Sequence, residues 1–398
     1  MKARTGSVVW TVATLTLAAV CARAADHDVG SYNLRLGSQA FNALYQFTTN
    51  DVAVEQAEHL VKMGSDIVKF RLEANRGKRP KDATLTSFAQ SSPVCARLFD
   101  MPFRHYFAWT SIAGHDSFHY WRGGPRPDED RREYEEIRTF AAYLLTRYSG
   151  TGKAFYLGNW EGDWLLLGTD QHGTNNPAPG AVEGMRSWLN ARQRAVDDAV
   201  RETAHTNVSV FVYVEVNRVR DALRGRAGSD VRVVNAVLPF VANLDYVSYS
   251  SYDAQNLSEA ELVRTLDYIA ARAPAAKASV IPGRRVFIGE YGFGGGGTPP
   301  ERQLEPTRSY MIRLLRWGAP FVLFWQVYNN EKNNTFCLID ERGRPTPCYD
   351  LHRQYLRDAR AGIAEFKARH GRLPTDAEFA ALAVPILEAY RPQTPQSF

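Results

Sequence analysis

The chain has 398 residues, 44% hydrophobic, 23% charged and 12% aromatic, a globular composition that excludes disordered, collagen-like and low-complexity classes. Its formal charge is +5, but Lys2, Arg4 and Arg23 fall in the first 24 residues, where there is no acid, so the remainder is nearly balanced. With no Lys/Arg block either, nothing points to a nucleic-acid partner.

The N-terminus carries the three parts of a secretory signal: a basic start, Met1 to Arg4, a mostly apolar run of 13 residues from Val8 to Val20, and the small-x-small site Ala22-Arg23-Ala24. Such a run is too short to span a bilayer. Cleavage is expected after Ala24, giving a secreted or periplasmic protein. A lipid anchor on Cys21 is the alternative, disfavoured by Val20 where a small residue is expected. No later stretch reaches about 18 consecutive apolar residues, so no membrane span is expected.

Eight short β-rich runs follow, at residues 43–47, 67–72, 105–109, 154–158, 208–214, 246–250, 285–289 and 321–325. Helical patterns lie between them at 52–63, 129–147, 182–205, 231–241 and 302–317, and another opens on the capping box Ser258 to Glu261. The stretch 74–100 reads as irregular, with at most a short helix. Two more helical patterns follow Tyr349, the second starting from the capping box Thr375 to Glu378. Eight alternating units predict a (β/α)8 TIM barrel over residues 25–348, with a C-terminal helical extension over 349–398 packed on its outside. Strands buried on both faces explain runs that are apolar rather than alternating.

Cleavage would leave Cys95, Cys337 and Cys348, hence at most one bridge. Cys337 and Cys348 flank the turn-like Asp340-Glu341-Arg342-Gly343, so a hairpin could pair them in an oxidising compartment. His115 and His119 lack the Glu of a zinc-binding helix, and Gly114 argues for a loop. Gly292 to Gly297 formally matches GxGxxG, yet no acidic residue follows about 20 positions on, so it reads as a loop at the mouth of a site.

A barrel of this kind keeps its chemistry where the strands end. Strand two ends in Arg71 and Glu73, strand three in Trp109, strand four in Asn159-Trp160-Glu161-Gly162-Asp163-Trp164. Glu215 and Asn217 end strand five, Tyr252 and Asp253 strand six, Glu290 strand seven and Trp325 strand eight. There is no GxSxG elbow. Two carboxylates on one rim suit glycoside hydrolysis, where one must be protonated to release the leaving group and the other ionised to attack the anomeric carbon. Glu161 and Glu290 are the candidates, with Asp163 competing for the place of Glu161. Indole rings offer flat apolar faces to sugars, and Asn, Tyr and Arg satisfy hydroxyls. Arg71, Trp109, Asn159, Trp160, Glu215, Tyr252 and Trp325 are therefore the candidate substrate-binding residues.

On these residues the chain resembles the clan A glycoside hydrolases, the 4/7 superfamily, over roughly residues 40 to 355. Glu161 and Glu290 resemble the clan's acid/base and nucleophile, and Ile288-Gly289-Glu290-Tyr291-Gly292 its nucleophile strand. Phe324-Trp325 resembles the strand-eight aromatic, Arg71 the strand-two arginine, and Tyr252 the strand-six tyrosine that touches the nucleophile. Residues 338–347 resemble the segment many of these enzymes carry after strand eight. The chain departs from the clan in placing Trp160 between Asn159 and Glu161. Either a bulge re-aims the pair, or Asn159 does not make the usual contact to the sugar 2-hydroxyl. The resemblance implies a retaining hydrolase of β-linked oligo- or polysaccharides that needs no metal or organic cofactor. A transglycosylase using the same residues and a non-catalytic carbohydrate-binding barrel are the alternatives.

Overall fold

The computed structural model describes residues 29–72, 80, 82–114, 119–169, 176–225, 230–275 and 283–392. The expected signal and Cys21 lie outside the described residues, as do Glu73 and His115. The strands β1 (Leu36–Gln39), β2 (Ile67–Leu72), β3 (His105–Thr110), β4 (Ala154–Gly158), β5 (Ser209–Val216), β6 (Tyr246–Ser250), β7 (Val286–Tyr291) and β8 (Val322–Phe324) form one closed parallel barrel in chain order. Pairing of β8 with β1 shuts it. Around it run α1 (Val52–Met63), α2 (Leu85–Ser91), α3 (Pro93–Asp100), α4 (Pro127–Arg147), α5 (Gly162–Leu167) and α6 (Ala181–Glu202). Then follow α7 (Val219–Arg224), α8 (Glu259–Arg272), α9 (Pro300–Trp317), α10 (Pro347–His370) and α11 (Asp376–Ala389).

Alternate residues of each strand point inward, and their chemistry changes along the barrel axis. At the amino end the interior is aromatic: the rings of Phe107 and Tyr156 stack with centroids 4.2 Å apart, Phe321 packs edge-on against both, and Phe287 packs tilted against Phe107. This plug fills the barrel, as such interiors require. One layer higher, toward the carboxyl ends, the inward residues are Lys69, Trp109, Gly158, Glu215, Ser248 and Gly289. The outward residues, such as Val68, Phe70 and Leu72 on β2, join the core beneath the helices.

Several sequence expectations need correction. The first strand is Leu36–Gln39, not 43–47. Its Gly37 lies so close to β2 that a Cβ there would stand 2.7 Å from the Ile67 Cβ, and Gln39 donates to Gly289 O at 2.8 Å, so both residues are fixed by neighbours distant in sequence. The apolar run at 43–47 is instead a rim loop held by the Tyr45 hydroxyl on Ile339 O (2.6 Å), with Leu44 and Phe47 exposed. The stretch 74–100 holds two helices, α2 and α3, each capped by a hydroxyl, from Thr84 and Ser92. The pattern at 231–241 forms a single π turn and a 3-10 turn, because Pro239 follows at once. In the C-terminal region, α10 packs between α9 and α1 and against β1, the place of the eighth barrel helix, while α11 lies on α9 and α10. The turn after Asp340 forms, with Gly343 donating to Asp340 O at 3.0 Å. It does not bring the cysteines together, and Cys337 and Cys348 are both free and buried. Thr346 caps α10 and fixes Cys348 in its first turn, with Sγ toward Thr307 Oγ1 at 3.6 Å.

Candidate active site

Glu215 forms the floor of the site. It alternates inward two residues after Tyr213 and is wholly buried. Its Oε2 accepts from Lys69 Nζ (2.9 Å) and Ser248 Oγ (2.7 Å), and its Oε1 accepts from the Glu161 backbone N–H (3.1 Å). Lys69, also wholly buried, donates further to Glu290 Oε1 (3.3 Å) and Gly289 O (3.1 Å).

Glu290 reaches this cluster through a bulge. Along β6 and β7 the register pairs Ser248 with Phe287 and Tyr249 with Ile288, then skips to pair Ser250 with Glu290. Phe287 points inward, so strict alternation would turn Glu290 outward. The extra residue, Gly289, resets the phase, aiming Glu290 into the barrel and Tyr291 into the outer core. Only glycine fits there, since a Cβ would stand 1.8 Å from Ser248 Oγ and 2.6 Å from Glu215 Oε2.

Glu161 stands in the turn between β4 and α5, where Gly162 passes so near β5 that a Cβ would lie 2.5 Å from Glu215 O. Its Oε1 accepts from Ser250 Oγ at 2.5 Å. Ser250 is the residue in register with Glu290, so β6 links the two candidate carboxyls. Asp163 does not compete: it is fully buried and accepts from the backbone N–H groups of Asn217, Arg218 (both 3.0 Å) and Val233 (2.8 Å).

Burial pushes the Glu161 carboxyl up to about 7; the Ser250 hydroxyl opposes this and the charge of Glu215 adds to it. Burial pushes Glu290 up as well, Lys69 pulls it back, and Glu215 and Glu161 repel it. Two interacting carboxyls titrate as a pair. Of the two, Glu290 is the one in contact with an ammonium, which favours its charged form. Burial amid carboxylates holds the Tyr252 hydroxyl far above its usual range, so it stays a neutral donor.

The aromatic residues lie at different depths. Trp325 keeps 8% of its surface, its Nε1 donates to Glu331 Oε1 (3.2 Å), and the peptide after it is cis. Trp109 is buried beneath it, against Phe41 (centroids 4.4 Å apart) and with Lys69 Nζ 4.7 Å from its ring centre. The Arg71 guanidinium lies 5.5 Å from the ring centres of both Phe41 and Trp109. Trp160 is half-buried and packs against both the barrel interior and the outer core.

The expected substrate contacts therefore divide. Tyr252, Trp160, Trp325 and Arg71 stand at the mouth. Trp109, Glu215 and Asn159 lie below it and are buried. Asn159 is buried, its Oδ1 accepting from Glu215 N–H (3.3 Å) and its Nδ2 donating to Trp160 O (2.9 Å). Asn159 thus faces β5. Sequence reasoning missed Lys69, Ser248, Ser250 and Glu331. Lys69 had a signal, a lysine inside the apolar run Ile67-Val68-Lys69-Phe70. Among the described residues no group of three His, Cys, Asp or Glu side chains could hold a metal, and no helix is long and apolar enough to cross a membrane.

No protein-family model and no curated protein sequence matches the chain. Solved structures do match in fold. A GH5_18 protein from Bifidobacterium longum subsp. infantis superposes with a TM-score of 0.56 at 14% identity, over 81% of this chain and 78% of that one. A GH5_18 protein from Streptomyces cattleya in complex with Manb1-4GlcNAc gives 0.53 at 14% identity, over 89% and 90%. The exo-beta-1,4-mannosidase Op5Man5 from Opitutaceae bacterium strain TAV5 gives 0.53 at 13% identity, over 81% of this chain. The chain spans 59% of that mannosidase's length. A family 39 glycoside hydrolase from Bacteroides cellulosilyticus WH2 gives 0.50 at 12% identity, over 82% and 64%. The structural neighbours are thus clan A glycoside hydrolases of families 5 and 39, on the same eight-stranded barrel.

Proposed function

We propose that the protein is an exported retaining glycoside hydrolase acting on β-linked oligo- or polysaccharides. One observation carries the reading: the carboxyls of Glu161 after β4 and Glu290 on β7 lie close enough for their charges to interact, Ser250 holding the one and Lys69 the other. In the first step Glu290 attacks the anomeric carbon while Glu161 gives its proton to the departing glycosidic oxygen. The sugar is left as an ester of Glu290. In the second step Glu161 takes a proton from water, whose oxygen attacks the anomeric carbon and releases Glu290. The raised carboxyl of Glu161 suits a group that must hold a proton near neutral pH. Trp325, locked by Glu331, is the sugar platform, and Tyr252 a neutral donor beside Glu290. Because proteins named for an exo-beta-1,4-mannosidase and for a Manb1-4GlcNAc complex share this barrel, β-mannosides come first in a substrate panel.

The test pairs turnover with stereochemistry. Proton NMR of the first product should show the β anomer, and Glu290→Gln should lower kcat by at least about a thousand-fold. Binding without products from the wild-type protein would favour the carbohydrate-binding alternative. An α first product from a β-glycoside would overturn the retaining mechanism.

A further inference from the structure

We propose that Lys69 is a residue that positions Glu290, its ammonium shared between the candidate nucleophile and Glu215. A lysine has three N–H donors. Here Glu215 Oε2 at 2.9 Å, Gly289 O at 3.1 Å and Glu290 Oε1 at 3.3 Å take all three. The side chain has no exposed surface, and the Trp109 ring covers it at 4.7 Å. Lys69 thus has no donor left for a sugar and acts only through its neighbours. Its bond to Gly289 O, with that of Gln39 Nε2 to the same oxygen (2.8 Å), ties down the bulge that turns Glu290 inward.

The charges also count. Glu161, Glu215 and Glu290 converge from β4, β5 and β7, with the Tyr252 hydroxyl from the end of β6. Lys69 is the ammonium in hydrogen-bond contact with two of them. With Glu161 protonated, two carboxylates share this one cation, and it is Lys69 that holds Glu290 charged against its burial. When Glu290 becomes an ester it loses its charge, and Lys69 and Glu215 remain as a balanced pair. This consequence for turnover rests on the glycosidase reading; the sharing of Lys69 does not.

Carbon-13 NMR of glutamate-labelled protein tests it, with the Glu290 resonance assigned through Glu290→Gln. Lys69→Met should raise the Glu290 titration midpoint by about one pH unit or more. Glu215→Gln removes a rival for the same ammonium and should lower it. A purely structural lysine would not give shifts of opposite sign, and equal or absent shifts overturn the proposal. Should Lys69→Met fail to fold, Lys69→Arg with Glu215→Gln decides. Restored charge with a midpoint near that of the wild type supports the proposal, and a rise as large as that expected of Lys69→Met refutes it. In kinetics on an active substrate, Lys69→Met should lower kcat far more than it changes KM and move the acid limb of kcat/KM upward. Titrations as expected in a protein that cleaves no glycoside would sink the glycosidase reading alone.

Discussion

Among the described residues, two ion clusters buried on either side of the barrel wall differ in charge balance. Outside, Glu133 of α4 and Arg192 of α6 pair one to one at 2.5 Å, both essentially without exposure. Arg192 also donates to Thr110 O (3.1 Å), the Thr110 hydroxyl and Gly158 O (3.4 Å), clamping α6 to the ends of β3 and β4. Inside, Lys69 contacts two carboxylates, and a third, Glu161, hangs from one of them by its backbone N–H. Burial pushes Glu133 in the outer cluster and Glu161 in the inner one up to about 7. A perturbed carboxyl therefore does not by itself mark a catalytic site, since structural ion pairs perturb carboxyls too. What separates the clusters is surplus negative charge at an open mouth, against a closed and neutral pair.

The largest effect should come from breaking the closed pair. Arg192→Ala leaves Glu133 buried without its cation, which costs about 3–5 kcal/mol, read as a lowered denaturant midpoint at unchanged slope. A loss under about 1 kcal/mol would mean that Glu133 simply keeps its proton, and the two clusters would no longer differ in kind. In the open cluster, removing a charge should work the other way. The folded Glu161 carboxyl lies near 7, above its ordinary 4.5. The stability it permits is complete below about pH 4.5 and is lost as pH rises through 7. Glu161→Gln should therefore stabilise the protein at pH 8 and not at pH 4. The full shift corresponds to about 3 kcal/mol, and partial exposure of the side chain reduces the expected gain to about 1–2 kcal/mol. Turnover should fall in the same variant. Equal stability changes at both pH values would contradict the raised carboxyl.

Much of the barrel was legible because long apolar runs make its wall. β2, β4 and β6 have the bounds that their β-branched and aromatic residues predict. β1 was not legible, because Leu-Gly-Ser-Gln reads as a loop and becomes a strand only through contacts with β2, β7 and β8. In the site, Glu161 and Glu290 could be found from their places just past two strands. The inward aim of Glu290 could not, because the bulge at Gly289 exists only in the register against β6. Lys69 and Arg71 share one face of β2, and spacing cannot say which of the two reaches a carboxylate on the far wall. Depth is likewise invisible in sequence: Trp109 and Trp325 look alike there, and one lies beneath the other.

The smallest effect probes the link between the two walls. Ser250 donates to Glu161 and is in register with Glu290. A hydrogen bond to the ionised carboxyl lowers its pKa, so the hydroxyl restrains the upward push of burial on Glu161. Ser250→Ala should remove that restraint and move the basic limb of kcat/KM to higher pH by about half a unit to one unit, since water replaces part of the lost bond. The acid limb, set by Glu290, should move less, because Ser250 meets that residue through its backbone register. If instead the acid limb moved and the basic limb stayed, the two carboxyls would have their protons the other way round. Glu290 would then be the acid of the site despite its ammonium neighbour, and charge imbalance would no longer tell which carboxyl attacks.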